Sequence, residues 1–501
     1  MDFNNFINKY QERLHQLFQE DNEEQKLERG LSGELQHKIM ELVPLSVFIP
    51  EKYGGRGANT EEALRMLEVS SYESLALSLM MGINGALFLQ PLANYGKEET
   101  ISKIFQRFLH EKVMGGLMIT EPDYGSDALR MQTCFKKDKK NNIYHIKGTK
   151  HWAGLTGEAD YWLIAARREC KDGDLGRDIA FFIHDSRNGG ITVKELFPNL
   201  GLYMLPYGRN NIDIAVEEDY KLKPQSIGIK MMLDILHRSR LQFPGMATGF
   251  LRRLMNEAIE HCKNRMVGGQ NLLKYDQVKH RVVVLQSYFT VCSAMCHFTG
   301  GNVPLSKDTS GMDLEANTIK ALVTDLMQRA SQSLLQLTGA IGYRLDHIAG
   351  SAVVDSRPFQ IFEGSNDILF QQITESILKM MRKSQEMNLG KFLNDFHLTE
   401  HSAGYLKDIL DFNLDLQMSQ RKQVDLGRAL SRIISMGFVL DMKSKGFNKK
   451  LISNTIDTMV SEVNGIICSF NNLSKNKIVE EYKSESTWID YLQPNTHAGT
   501  R

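Results

Sequence analysis

The chain has 501 residues, about three times the length of a typical single domain, so several domains are expected to share it. Hydrophobic residues make up 42% and charged residues 24%, an ordinary globular balance that excludes wholesale disorder. Lys+Arg 60 against Asp+Glu 60 leaves no net charge. No global basic field exists to hold a phosphate backbone, and no nucleic-acid binding is expected.

Residues 1–115 read as a helical domain. At its start Phe3, Phe6, Ile7, Tyr10, Leu14, Leu17 and Phe18 fall at helical spacing, without the basic and apolar regions of a signal peptide. LRMLEVSSYESLALSLMMGI at 64–83 is the clearest helical stretch, and EKYGGRGANT at 51–60 a turn. From 116 to 225 the texture changes to short β-branched and aromatic segments, among them YHIKGTKHWA, DYWLIAARRE and NNIDIAVEED. These predict a small antiparallel β domain, with KKDKKNN at 136–142 as a solvated hairpin loop. Helical periodicity returns from 226 to 385, as expected of a bundle. Residues 386–501 form a further helical extension ending in the polar tail DYLQPNTHAGTR. The fold class is α+β.

The most apolar stretch, 282–298, carries Gln286, Ser287, Ser293 and His297 and is too short for a bilayer. It reads as a buried helix, and no membrane contact is expected. The six cysteines are scattered, as in a cytoplasmic protein with reduced thiols. Cys292 and Cys296 stand one helical turn apart, but without paired metal-ligand spacing they read as packing, and no metal is expected.

Four segments carry polar chemistry. MITEPDYGSD at 118–127 is a turn that gathers Thr120 and Ser126 at one mouth, while GTKHWAG at 148–154 sets Trp152 beside small backbone. LTGAIGY at 337–343 follows Gln336 and holds Gly339 and Gly342. FQIFEGSND at 359–367 places Glu363 after an apolar run, where lost solvation raises a carboxyl pKa and suits it to act as a base. Singly, each also reads as a turn, a core aromatic, a helix stop or a helix-start charge.

In this order and spacing, over roughly residues 30 to 385, they resemble the acyl-CoA dehydrogenase family. The resemblance implies a helical N-terminal domain, a middle β domain and a C-terminal bundle, with 386–501 similar to the extension of very-long-chain members. It implies FAD as cofactor and α,β-desaturation of an acyl thioester, with Glu363 taking the α-proton and a hydride passing to flavin N5. It matches Met118, Thr120, Ser126, Trp152, Gly154, Ser365 and Asp367 to positions around the flavin. Arg265, Gln336 and Gly339 match an FAD contact completed by a second subunit, hence a homodimer, with a tetramer as the alternative. Ser126, Arg238, Arg240 and Gly364 match the side that takes the substrate, an acyl-CoA or an acyl-carrier thioester. The implied electron acceptor is an electron-transferring flavoprotein.

The chain departs from the pattern in three places. Gly154 and Leu155 stand where a hydroxyl residue and Asn are usual. The loop usually read Arg-Lys-Thr-Phe-Gly is RMVGG at 265–269, and Asp367 replaces an amide or Glu. These departures leave three alternatives open: a flavin oxidase or monooxygenase, an acyl-carrier-protein-linked dehydrogenase, or a non-catalytic scaffold.

Overall fold

The computed structural model describes residues 2–20, 29–57, 59–170, 173–472, 477–483 and 486–491. Most of the expected polar tail lies outside them.

The first region is helical, comprising α1 (Phe3–Glu20), α2 (Gly33–Met40), α3 (Thr60–Glu73), α4 (Leu75–Asn84), α5 (Gln90–Tyr95) and α6 (Glu98–His110). The stretch at 64–83 is two helices rather than one. Ser74 breaks it in an extended conformation, and its Oγ accepts the Leu77 N–H at 3.2 Å, starting α4 as an N-cap. Every residue of α4 is buried.

The middle region is a seven-stranded sheet: β1 (Gly115–Met118), β2 (Cys134–Asp138), β3 (Ile143–Gly154), β4 (Tyr161–Glu169), β5 (Leu175–Asp185), β6 (Ile191–Leu196) and β7 (Tyr207–Glu217). It is mixed, which corrects the purely antiparallel expectation. β4 pairs antiparallel with β5 along one edge, and parallel with β1 and then β2 along the other. The chain leaves β1 through the TEPDYGSD turn and returns on the same side of β4, and this connection imposes the parallel pairings. A hairpin joins β2 to β3 as expected, but its loop is 139–142, and Lys136, Lys137 and Asp138 of the expected loop pair within the sheet.

The bundle consists of α7 (Gly228–Asn264), α8 (Asp276–Asn302), α9 (Asp313–Thr338), α10 (Ile348–Ser356) and α11 (Asn366–Ser384); a two-residue pair, β8 (Met266–Val267) and β9 (Gln270–Asn271), separates α7 from α8. α7 runs through Pro244, which removes the N–H that would pair with the Arg240 carbonyl. The extension supplies α12 (Leu389–Asp395), α13 (Lys407–Leu410), α14 (Gln420–Ser444) and α15 (Lys449–Asn471). α14 and α15 pack on α8, and α14 also packs on α9 and α11. The stretches Leu75–Tyr95 and Asp276–Asn302 are long and apolar enough to cross a bilayer, yet the first is wholly buried and the second is covered along one side.

The extension is pinned by a buried cation. Arg432, 2% exposed, donates to Glu462 at 2.6 Å and to Asp325 at 3.1 Å, tying α14 to α15 and α9. Burial works to raise the Glu462 pKa, but Arg432 and Arg329 outweigh it and hold the carboxylate below its ordinary value. Arg432→Ala is therefore expected to cost about 3–5 kcal/mol in urea denaturation, because it leaves two carboxylates without their buried partner. A carboxylate with a depressed folded-state pKa stabilises the fold at neutral pH, and this contribution fades as pH falls through the unfolded and then the folded value. The denaturation midpoint of the variant should accordingly fall less steeply on acidification than that of the wild type.

Candidate active site

Two strained backbone corners face one another across a cavity of about 470 Å³. The first is in β3. A bulge between His151 and Ala153 puts Trp152 at φ 55, and Leu155 follows at φ 70. Left-handed backbone is costly for such side chains and is found where the surroundings enforce it. The result is a Trp152 ring 51% exposed at the cavity, backed by Phe197 at 4.5 Å and Tyr207 at 6.3 Å between centroids.

The second corner is Glu363, φ 53, followed by Gly364, φ 92. Two buried cations hold it. Arg240 donates to the Glu363 carbonyl at 2.7 and 3.1 Å, and Lys320, fully buried in α9, donates to the Gly364 carbonyl at 2.7 Å. The Ser239 hydroxyl donates to Glu363 Oε1 at 2.8 Å, and Glu363 Oε2 is buried without a partner. Burial raises the Glu363 pKa against the opposing pull of Arg240, Ser239 and Lys320. Burial also brings the Lys320 ammonium down to about 7.

The walls between the corners are apolar. α4 contributes Leu79 and Ile83, α7 contributes Met232 and Leu236, and α11 contributes Ile368 and Leu369. Beneath the first corner lies a second buried pair. Lys150 Nζ donates to Glu121 Oε1 at 2.9 Å, with the two side chains 0% and 4% exposed. The pair binds the TEPDYGSD turn to strand β3. The same carboxylate accepts the N–H groups of Gln132 and Thr133, so it is held below its ordinary pKa despite burial, while burial brings Lys150 down to about 8.

The cavity gathers Thr120, Ser126, Trp152, Gly154, Arg240, Glu363 and Gly364 from the sequence-derived set. The others lie elsewhere. Met118 is 1% exposed and turns into the core, while its neighbours Leu117 and Ile119 line the cavity, as strand alternation requires. Arg238 points away on α7, paired with Asp234 at 2.9 Å and donating to the Leu305 and Lys307 carbonyls. A helical offset of two residues from Arg240 puts it on another face, so it is a structural cation rather than a substrate contact. Ser365 precedes α11 as its N-cap residue and lines no part of the cavity. Asp367 lines no part of the cavity either, and its exposed carboxylate pairs with Arg428 of α14 at 3.0 Å. Arg265, Gln336 and Gly339 are exposed outside the cavity. Arg265 and the Leu337 backbone meet around His261, and Met266, Ile341 and Tyr343, close to them in sequence, are exposed.

Sequence reasoning missed Lys320, the hydroxyl role of Ser239 and the Lys150–Glu121 pair. A lysine inside the apolar run TIKALV is the one signal that was available for Lys320.

The Trp152 face, the open backbone at Gly154 and the hydroxyls of Thr120 and Ser126 form a flat, partly polar cradle suited to a planar ring system. A Cβ at Gly154 would meet Ile83 Cδ1 at 2.9 Å and Tyr207 Cε1 at 3.4 Å, so the side chains of the cavity wall lie close over this backbone.

The three domains of the acyl-CoA dehydrogenase fold match in turn, the N-terminal domain over 8–112, the middle domain over 116–213 and the C-terminal domain over 227–378. The chain belongs to the acyl-CoA dehydrogenase family. It is 22% identical over 398 residues to a very long-chain specific mitochondrial acyl-CoA dehydrogenase of Macaca fascicularis, covering 78% of this chain and 60% of that protein. The match thus spans about three-fifths of that relative's length. A Bacillus subtilis acyl-CoA dehydrogenase is 25% identical over 65% of this chain and 84% of its own. Among solved structures, an acyl-CoA dehydrogenase complexed with FAD from Bacillus anthracis superposes with a TM-score of 0.75 at 18% identity. That superposition covers 93% of this chain and 87% of that one, so the shared fold extends into the C-terminal helices.

Ser239→Ala removes the one side-chain donor to the Glu363 carboxylate among the described residues. The carboxyl pKa is expected to rise by about one to two pH units, since a hydrogen bond to a charged group is worth roughly 1.5–3 kcal/mol. Carboxyl-region difference infrared titration, with Ser239→Thr as the retained-hydroxyl control, measures it.

Proposed function

We propose that the chain is an FAD-dependent acyl-CoA dehydrogenase that converts a saturated acyl thioester to its trans-2-enoyl product. The observation that carries this reading is Glu363, which lines a cavity with apolar walls opposite Trp152 and whose Oε2 is buried without a hydrogen-bond partner among the described residues. Its raised pKa suits a group that takes a proton near neutral pH.

In this reading Trp152, Gly154, Thr120 and Ser126 hold the FAD ring system. When bound, FAD supplies the acceptor for the hydride that leaves C3. Glu363 Oε2 takes the proton from C2, while Ser239 keeps Oε1 turned away from the cavity. The Glu363 N–H has no acceptor among the described hydrogen bonds and is free to donate to the thioester carbonyl, which acidifies C2. The apolar walls exclude water, so these contacts act at low dielectric.

Coenzyme A and a carrier protein both fit as the thioester's carrier. Electrons then pass to an electron-transferring flavoprotein or another acceptor. The exposed group of Arg265, Gln336, Gly339, Met266 and Tyr343 supports a homodimer in which each copy completes the other's FAD site. The six free thiols agree with a reducing, cytoplasmic setting.

The purified protein should be yellow, and anaerobic addition of an acyl-CoA of the matching chain length should bleach its visible absorbance. Glu363→Gln should retain the colour and slow bleaching by at least about a hundredfold. Bleaching in the variant at the wild-type rate removes Glu363 as the base. Re-oxidation by air faster than by an electron carrier points to an oxidase.

A further inference from the structure

The surface of α11 that faces away from the cavity is occupied by the extension. Gly427 of α14 presses directly on its backbone: a Cβ at that position would meet the Phe370 carbonyl oxygen at 1.9 Å. Arg428 holds the Asp367 carboxylate at 3.0 Å and lies over the Phe370 ring at 5.6 Å. Thr374 Oγ1 donates to the Gln423 carbonyl at 2.6 Å. The first two turns of α11 are therefore fixed from behind by the extension.

From the front, the same two turns hold the site. Leu369 packs against Gly364, where its Cδ2 would lie 3.1 Å from an added Cβ. Gln372 Oε1 accepts from Asn317 at 3.1 Å, Asn317 Oδ1 accepts from Arg240 at 2.7 Å, and Arg240 holds the Glu363 carbonyl. An unbroken run of contacts thus leads from α14 through α11 to the strained corner.

We infer that the C-terminal extension is part of the active-site machinery, with Gly427 and Arg428 acting as positioning residues that set the Glu363 corner through α11. This inference rests on the proposed dehydrogenase reading for its chemistry, but its mechanical part does not depend on turnover.

The test compares Gly427→Ala with Met459→Ala in the FAD-loaded full-length protein. Met459 is fully buried in α15, a helix that packs on α8 and α14. Its truncation loosens the extension without pushing on α11. Two readouts are taken: hydrogen–deuterium exchange over 359–372, and the limiting rate of flavin bleaching by acyl-CoA as a function of pH. In Gly427→Ala, exchange at the corner is expected to quicken by about tenfold. The bleaching rate is expected to fall by about tenfold or more, with its pH limb displaced, because small misplacements of a reacting group cost rate steeply. Met459→Ala lowers the melting temperature but leaves both readouts at wild type. Should Gly427→Ala fail to fold, Arg428→Ala gives the same changes in smaller measure, and Arg428→Lys restores them.

Equal effects of Gly427→Ala and Met459→Ala at equal loss of melting temperature overturn the inference, as does unchanged exchange at the corner. If no acyl-CoA bleaches the wild type while the exchange difference holds, the dehydrogenase reading fails and the mechanical coupling stands.

Discussion

The site depends on two cations that point at backbone rather than at acids. Arg240 and Lys320 hold the carbonyls of Glu363 and Gly364, which lie in left-handed backbone. A non-glycine residue pays about 1–2 kcal/mol for that conformation. Charge-assisted hydrogen bonds at low dielectric exceed that cost, so the corner persists. Because the cations donate to carbonyls and amide oxygens, the Glu363 carboxylate is left with one hydroxyl partner and one buried oxygen without a partner among the described residues. The cations come from α7 and α9, two helices packed closely on one another, so the corner depends on their relative placement.

The layout of the fold was legible because each region has its own period. Strands β3, β4, β5 and β7 fall on segments whose β-branched and aromatic content announces them. The break at Ser74 was harder to see, since a serine between two apolar stretches fits a helix surface as well as a cap, and only its extended backbone distinguishes the two. The parallel pairing of β1 and β2 with β4 was hidden because pairing partners are set by the path of the chain between strands. In the site, Trp152 and Glu363 were visible through the motifs around them. Arg238 and Arg240 could not be told apart, being two residues apart and of one chemistry, although one lies in a structural ion pair and the other on the corner. The pairing of Asp367 with Arg428 was hidden because the two stand 61 positions apart in the chain.

The two motifs at the mouth of the cavity form one unit. Glu121 belongs to the TEPDYGSD turn and Lys150 to the strand that carries Trp152, and their buried bond sets the turn's hydroxyls against the tryptophan. Neither charge can be removed alone without leaving the other buried and unpaired. The half-exposed indole is thus fixed from below by an ion pair and from the side by Phe197 and Tyr207.

The cover over α8 has a further consequence. This helix is as apolar as a bilayer-crossing segment, and its outer side is masked by α14 and α15, where Phe298 stacks on Phe438 at 4.3 Å and Ser287 meets Thr458 at 3.1 Å. A chain cut at residue 385 would bare that stripe. Large exposed apolar faces seek partners, so the shortened protein would cluster with its own copies. The last helices therefore also keep the bundle from aggregating.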